Sequence, residues 1–281
     1  KSGCRSTNCP PCSPSDSDSD GRSVGTYLDR ILERHRVAAA ADDRSFDDLL
    51  ARATDLPPTR GFRRALAGAD RLAVISEVKR RSPSKGDLNA DLDPAVLATA
   101  YEAGGATCLS VLTDVEFFGG SVDDLRSARA ACALPVLRKD FTVSERDVVD
   151  TRLMGADCVL LIAAALGVDE LCALHRLAID LDLDVLVEIH DEDELAVAMH
   201  AGATLVGVNQ RDLVTFEVDH DRAVRMAASI PDGVVKVAES GVRSAADARS
   251  LRDAGYDAVL VGETLVRSPD PVAAVESLRV P

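Results

Sequence analysis

No stretch of this sequence approaches the roughly 18 consecutive apolar residues that a membrane-spanning helix needs, although 46% of its residues are hydrophobic. A helical membrane span is thereby excluded, and the chain is expected to be soluble with a large core. Positive charge is scarce as well. The 32 Lys and Arg stand against 47 Asp and Glu, a net charge of -15. Such a field repels nucleic acid and anionic lipid, so neither is expected as a partner, and any anionic ligand must be held by local donors. The amino terminus lacks the apolar centre of a secretory signal. Closely spaced cysteine pairs are missing from the body of the chain: Cys108 and Cys158 lie in apolar runs and Cys132 and Cys172 in helical patterns. They read as reduced thiols of a cytoplasmic protein. Cys4, Cys9 and Cys12 sit in KSGCRSTNCPPCSPSDSDSDGR. The Cys9-x-x-Cys12 spacing suits zinc, but no second pair or nearby histidine completes four ligands, so no metal is expected. Residues 1–22 have the composition of a disordered tail.

What is present is alternation. Tyr27-Leu28-x-x-Ile31-Leu32, Phe46-x-x-Leu49-Leu50 and Phe62-x-x-Ala65-Leu66 have helical spacing, which makes residues 23–70 a helical extension. From residue 71 to 281 short β-rich runs alternate with amphipathic stretches. The candidate strands are LAVISEV, ATCLSVL, LPVLRK, ADCVLLI, DVLVEI, ATLVGVN, VVKVAES and DAVLVGE. Eight is the number in a closed α/β barrel, and 281 residues suit one such barrel and leave no room for a second. AGGAT at Ala103, MGAD at Met154, HAGAT at His200 and DAGYD at Asp253 each join a helix end to a strand, so Gly104, Gly155, Gly202 and Gly255 recur about every 50 residues. Each glycine is expected to end its helix in the left-handed conformation. An open doubly wound sheet also alternates, but it does not naturally give four equal repeats. The expected fold is α/β: a single (β/α)8 TIM barrel with an N-terminal helical extension.

In such a barrel the functional side chains come from the C-terminal ends of the strands and the loops that follow. Five candidate strands end in charge. Period-two alternation places Glu77 and Lys79 on the inward face with Ile75, and Lys139 with Leu137. Glu188, then Asn209 with Arg211, then Glu239 close the fifth, sixth and seventh strands. Taken singly, each is as well explained as a solvated strand end or half of an ion pair, and Glu77 with Lys79 most of all. Five together converging on one mouth are harder to explain that way. Ser240-Gly241 and Gly262-Glu263, after the last two strands, suit a phosphate held by backbone N–H groups, or they are plain tight turns. Ser82-Pro83-Ser84-Lys85-Gly86 adds a hydroxyl and a cation on a loop whose glycine permits closure over a ligand.

ISEVKRRSPSKG, LTDVEFFGGS, LPVLRKDF, LVEIH, VGVNQRDL, VAESGV and VGETLV, in this order from Leu72 to Val266, resemble the indole-3-glycerol phosphate synthases. The resemblance implies a carboxy-lyase of tryptophan biosynthesis. Its reaction closes the ring of 1-(2-carboxyphenylamino)-1-deoxyribulose 5-phosphate, with loss of carbon dioxide and water, and needs no cofactor. It also implies roles for residues. Lys139 is the acid at the ketone oxygen, Lys79 or Lys139 the acid for dehydration, and Glu188 the base. Glu77 positions Lys79, while Asn209, Arg211 and Glu239 orient carboxylate and hydroxyls. Phosphate meets Ser82, Ser240, Gly241, Gly262 and Glu263, the last through its backbone. Phe118, Phe141, Leu160 and Leu213 match the aromatic pocket. His190 shares a strand face with Glu188, but the family pattern gives it no role. The competing readings are another phosphate-binding barrel of the same pathway, such as phosphoribosylanthranilate isomerase, and a barrel that binds a phosphometabolite or a protein without catalysis. The residues do not fix an oligomeric state; a monomer, or at most a weak homodimer, is expected.

Overall fold

The computed structural model describes residues 26–83, 85–212 and 215–281. The tail expected at 1–22 with its three cysteines, and Ser84 and Leu213, lie outside the described residues. All eight candidate runs form strands. They are β1 (Ala73–Val78), then, after a two-residue antiparallel pair β2 (Arg81–Ser82) and β3 (Gly86–Asp87), β4 (Cys108–Leu112), β5 (Val136–Lys139), β6 (Cys158–Ile162), β7 (Asp184–Ile189), β8 (Leu205–Asn209), β9 (Val235–Glu239) and β10 (Ala258–Val261). The eight long strands are parallel and close in the order β1-β10-β9-β8-β7-β6-β5-β4. Every residue of β1, β4, β6, β8 and β10 is buried. Both faces of such strands are covered, one by the barrel interior and one by helices, which is why they read as unbroken apolar runs.

Three helices precede the barrel: α1 (Tyr27–Ala40), α2 (Phe46–Thr54) and α3 (Phe62–Ala67). The others are α4 (Pro94–Ala103), α5 (Val122–Ala131), α6 (Glu145–Met154), α7 (Val168–Asp180), α8 (Glu192–His200), α9 (Arg222–Met226), α10 (Ala245–Asp253), α11 (Glu263–Val266) and α12 (Pro271–Leu278). Local chemistry starts them. The hydroxyls of Ser121, Ser144 and Ser244 accept the N–H of Asp124, Asp147 and Asp247, and Asp93 and Asp270 cap helices whose first residue is proline. At the far ends Gly155, Gly202 and Gly255 are left-handed as expected, but Gly104 is not, with φ −74°. Its neighbour Gly105 takes that conformation at φ 82°. Gly104 is needed for space instead, because a Cβ there would stand 2.6 Å from the Val272 carbonyl oxygen of α12.

The leading helices reach both ends of the barrel. At the N-terminal end of the strands α3 buries Phe62 and Leu66 completely or nearly so. Arg60 N donates to Asp157 Oδ1 at 2.7 Å and Arg63 N to Asp184 Oδ2 at 2.8 Å, which ties the segment to the starts of β6 and β7. Asp157, fully buried, also pairs with Arg129 and accepts Val136 N. α2 packs on α6. α1 lies at the opposite end, where Arg36 donates to the Ala165 carbonyl in the short 3-10 turn after β6. Among the described residues no helix is long and apolar enough to cross a membrane.

Candidate active site

Strand register builds the site. Leu112 stands beside Lys139, Ile162 beside Glu188, Glu188 beside Gly207 and Asn209 beside Glu239. The last inward residues of neighbouring strands therefore form one ring at the C-terminal mouth, above a cavity of about 740 Å³. Every described residue to which the resemblance gave a role lines it: Glu77, Lys79, Ser82, Phe118, Lys139, Phe141, Leu160, Glu188, Asn209, Arg211, Glu239, Ser240, Gly241, Gly262 and Glu263. His190 does not. Its Nδ1 lies 3.1 Å from Glu194 Oε2, on α8.

Lys139 sits at the centre. Its Nζ donates to Glu188 Oε2 at 2.6 Å and to Glu239 Oε2 at 3.1 Å. Burial works against the ammonium, but the two carboxylates outweigh it and hold Lys139 well above the usual lysine range. Burial likewise favours a neutral Glu188, yet the charges of Lys139 and His190 and hydrogen bonds from Lys139 and Asn209 outweigh it, and Glu188 stays well below the ordinary carboxylate range. Glu239 behaves oppositely. Burial is the largest cause, Lys139 opposes it, and the charge of Glu188 adds to it, so Glu239 is raised to about 7. The cluster thus holds one secure ammonium, one secure carboxylate and one acid that titrates near neutrality. Lys79 Nζ forms a second pair with Glu77 Oε2 on β1, whose strand end is fixed by the Tyr101 hydroxyl donating to the Glu77 carbonyl at 3.2 Å.

Asn209 can be oriented from its partners. Its Oδ1 accepts Arg211 N at 3.0 Å and Ser240 Oγ at 2.9 Å, so Nδ2 faces Glu188 Oε1 and donates at 2.9 Å. Ser240 is left-handed at φ 66°, and Gly241 follows at φ 78°. The Gln210 side chain pins this turn by donating to the Ser240 carbonyl at 2.7 Å. Glu263 opens α11 with its carboxylate turned toward Arg267, at 3.7 Å. Arg211 Nη1 donates to the Phe216 carbonyl at 2.9 Å.

Two glycines matter for space. A Cβ on Gly207 would collide with Glu239 Oε1, and one on Gly262 with Glu77 Oε2. Gly207 lies inside a strand pattern and carries no chemistry of its own, so sequence reasoning passed over it. Gln210, Asp114, Asp140, Phe216, His220, Arg243 and Arg267 were also missed as site residues, although all but Gln210 line the cavity. Asp140 and Gln210 stood inside the motifs LPVLRKDF and VGVNQRDL; Phe216 and His220 belong to a loop with no periodicity to read.

His35, Asp114 and Asp140 bring a ring nitrogen and two carboxylates within 4.8 Å of one another. The set does not suit a metal ion. Asp114 already accepts Phe117 N and Phe118 N, and Asp140 accepts the Thr113 hydroxyl, Phe141 N and the Arg138 guanidinium at 2.9 Å. The arginine already pairs with the Asp140 carboxylate through its other oxygen, which lowers the negative charge left for a cation.

The family model for indole-3-glycerol phosphate synthase matches residues 28–278. The chain belongs to the indole-3-glycerol phosphate synthase family. A curated member of that family from Rhodopirellula baltica is 46% identical over 255 residues, covering 90% of this chain and 98% of the relative. Solved structures at lower identity share the barrel alone. Thiamine phosphate pyrophosphorylase from Pyrococcus furiosus superposes with a TM-score of 0.55 at 17% identity, covering 74% of this chain and 94% of the other. A structure described as native KDPGal gives 0.51 at 15% identity, covering 75% and 93%. The synthase family makes the protein an enzyme of tryptophan biosynthesis, a decarboxylating lyase that acts on a small phosphorylated substrate.

Proposed function

We propose that the cavity closes the ring of 1-(2-carboxyphenylamino)-1-deoxyribulose 5-phosphate to give indole-3-glycerol phosphate, carbon dioxide and water, and that the residues in it divide the work as follows. One observation supports this most strongly: Lys139, buried between Glu188 and Glu239, shares the cavity with an aromatic wall of Phe118 and Phe141 and with the turns at Ser240-Gly241 and Gly262-Glu263. The aryl group lies against Phe118, Phe141 and Leu160. The phosphate meets the N–H groups of Gly241, Gly262 and Glu263 with Ser82 and Ser240 beside them. Arg211 takes the carboxylate, for which its forked donors are suited.

In the first step the ring carbon that bears the carboxylate attacks the ketone carbon. The carbonyl pair moves to oxygen, which takes a proton from Lys139, an ammonium preorganised between Glu188 and Glu239. The bond to the carboxylate then breaks, carbon dioxide leaves, and the released pair restores the aromatic ring. In the last step the new hydroxyl departs as water with a proton from Lys79, which follows β1 whereas Lys139 ends β5, and Glu188 removes the proton from the neighbouring carbon. The amine nitrogen supplies and receives the electrons throughout. Asn209 holds Glu188 in place, Glu77 holds Lys79, and Glu239 orients the hydroxyls.

Lys139→Met is expected to lower kcat about 10²- to 10⁴-fold with the fold retained. Lys79→Met is expected to release carbon dioxide from a single turnover faster than indole forms; equal rates for both would remove Lys79 from the dehydration. The chain is proposed to act as a monomer in the cytoplasm. A sedimentation mass above about 30 kDa at working concentration would overturn the first point.

A further inference from the structure

His35, on α1, belongs to none of the motifs, yet it joins the two segments that carry the aromatic wall. Its Nε2 lies 3.1 Å from Asp114 Oδ2 and 3.8 Å from Asp140 Oδ1. Asp114, in the loop after β4, uses Oδ1 to accept Phe117 N at 2.6 Å and Phe118 N at 3.1 Å. Asp140, after β5, uses Oδ1 to accept Phe141 N at 2.9 Å. Asp114 therefore fixes the backbone of Phe117 and Phe118 and Asp140 that of Phe141, and the imidazole stands within ion-pair distance of both carboxylates. The His35 ring also packs on the Phe141 ring, centroids 5.5 Å apart, and Phe141 stands 6.2 Å from Phe118. We infer that His35 is a positioning residue for aryl recognition: by bridging Asp114 and Asp140 it sets the separation of Phe118 and Phe141, and with it the slot that receives the substrate's aromatic ring. The inference rests on the substrate assigned above.

The bridge carries charge. Facing His35 are Asp114 from the β4 loop, Asp140 from the end of β5 and Asp147 from α6, while Arg138 of β5 pairs with Asp140. On α1 itself Arg34 pairs with Glu116 and Arg36 with Glu170. Burial disfavours the imidazolium, but the Asp114 hydrogen bond and the charges of Asp140, Asp114 and Asp147 outweigh it, and His35 is raised above 6.5. For Asp114 burial is likewise outweighed, by His35 and by the N–H groups of Phe117 and Phe118, and its carboxyl is lowered. The charged bridge is complete below the raised value of His35 and is lost as pH rises through it. A role limited to docking α1 would leave substrate affinity independent of that titration.

The test compares KM and kcat from pH 6 to 9 in the wild type and His35→Gln, which keeps a neutral donor. Below neutrality the variant is expected to raise KM about tenfold with kcat within about twofold, and the gap should narrow as pH rises. Inhibition by inorganic phosphate, which reports the other end of the cavity, should be unchanged. An unchanged KM, a gap independent of pH, or a parallel loss of phosphate affinity would each overturn the inference. Should His35→Gln not fold, NMR titration of His35 in the wild type decides. Indole-3-glycerol phosphate should raise the imidazole pKa by linkage and inorganic phosphate should not; equal values with and without the aryl ligand would overturn it. Absence of indole formation by the wild type is a separate result that removes the substrate assignment instead.

Discussion

At the residue scale the site depends on unequal treatment of like groups. Glu188 and Glu239 share one lysine, yet Glu188 is held ionised by Lys139 and Asn209 while Glu239 is raised to about 7. A carboxyl raised in the folded state binds protons that the unfolded chain has released, so its contribution to stability is complete below about 4.5 and falls as pH rises through about 7. Glu239→Gln is therefore expected to raise the melting temperature at pH 8 more than at pH 5, while turnover falls. Equal shifts at both pH values would show that Glu239 is ionised throughout. Space matters as much as charge. Gly207→Ala places a methyl on Glu239 Oε1 and within 3.2 Å of Leu186, and an ångström of displacement there is expected to cost about a hundredfold in kcat/KM. Charged strand ends were legible because they broke apolar runs, whereas Gly207 was not, since its importance comes from a side chain two strand residues away on β9.

At the element scale the strands were readable because parallel strands buried on both faces give short unbroken apolar runs. Helix starts were carried by serine and aspartate caps. Ser144→Ala should lower stability by about 1 kcal/mol, measured by denaturant unfolding, because the N–H of Asp147 then loses its acceptor at the start of α6. A change near zero would place the start of α6 under the control of packing alone. The helical spacing of α1 was also evident, but where it docks was not. Its position depends on Asp114, Asp140 and Ala165, which lie about 80 to 130 residues further along the chain. Gly104 shows the same limit. Its repeat pattern suggested a left-handed helix end, but the requirement at that position is close approach to α12, and Gly105 supplies the turn.

At the scale of the whole molecule the two ends of the barrel have separate tasks. α3 closes the N-terminal end with Phe62 and the buried Asp157, and the chemistry-bearing residues gather at the other. Phe62→Ala should cost about 3–5 kcal/mol of stability while leaving KM unchanged at a temperature where the variant is folded. A raised KM would show that the ends are coupled. The fourfold glycine spacing and the count of eight runs made the barrel legible, because closure imposes regular units on the whole chain. Against a net charge of -15, the cavity that lies at one mouth of the barrel is lined by the cations Lys79, Lys139 and Arg211. The most direct measurement is turnover of 1-(2-carboxyphenylamino)-1-deoxyribulose 5-phosphate, with carbon dioxide release and indole fluorescence followed together in the wild type and in Lys139→Met. The wild type should yield one carbon dioxide per indole, and the folded variant should yield neither at a comparable rate. Near-normal indole formation by Lys139→Met would contradict the assignment of the central acid, and a folded wild type that binds the substrate without turning it over would contradict the reaction itself.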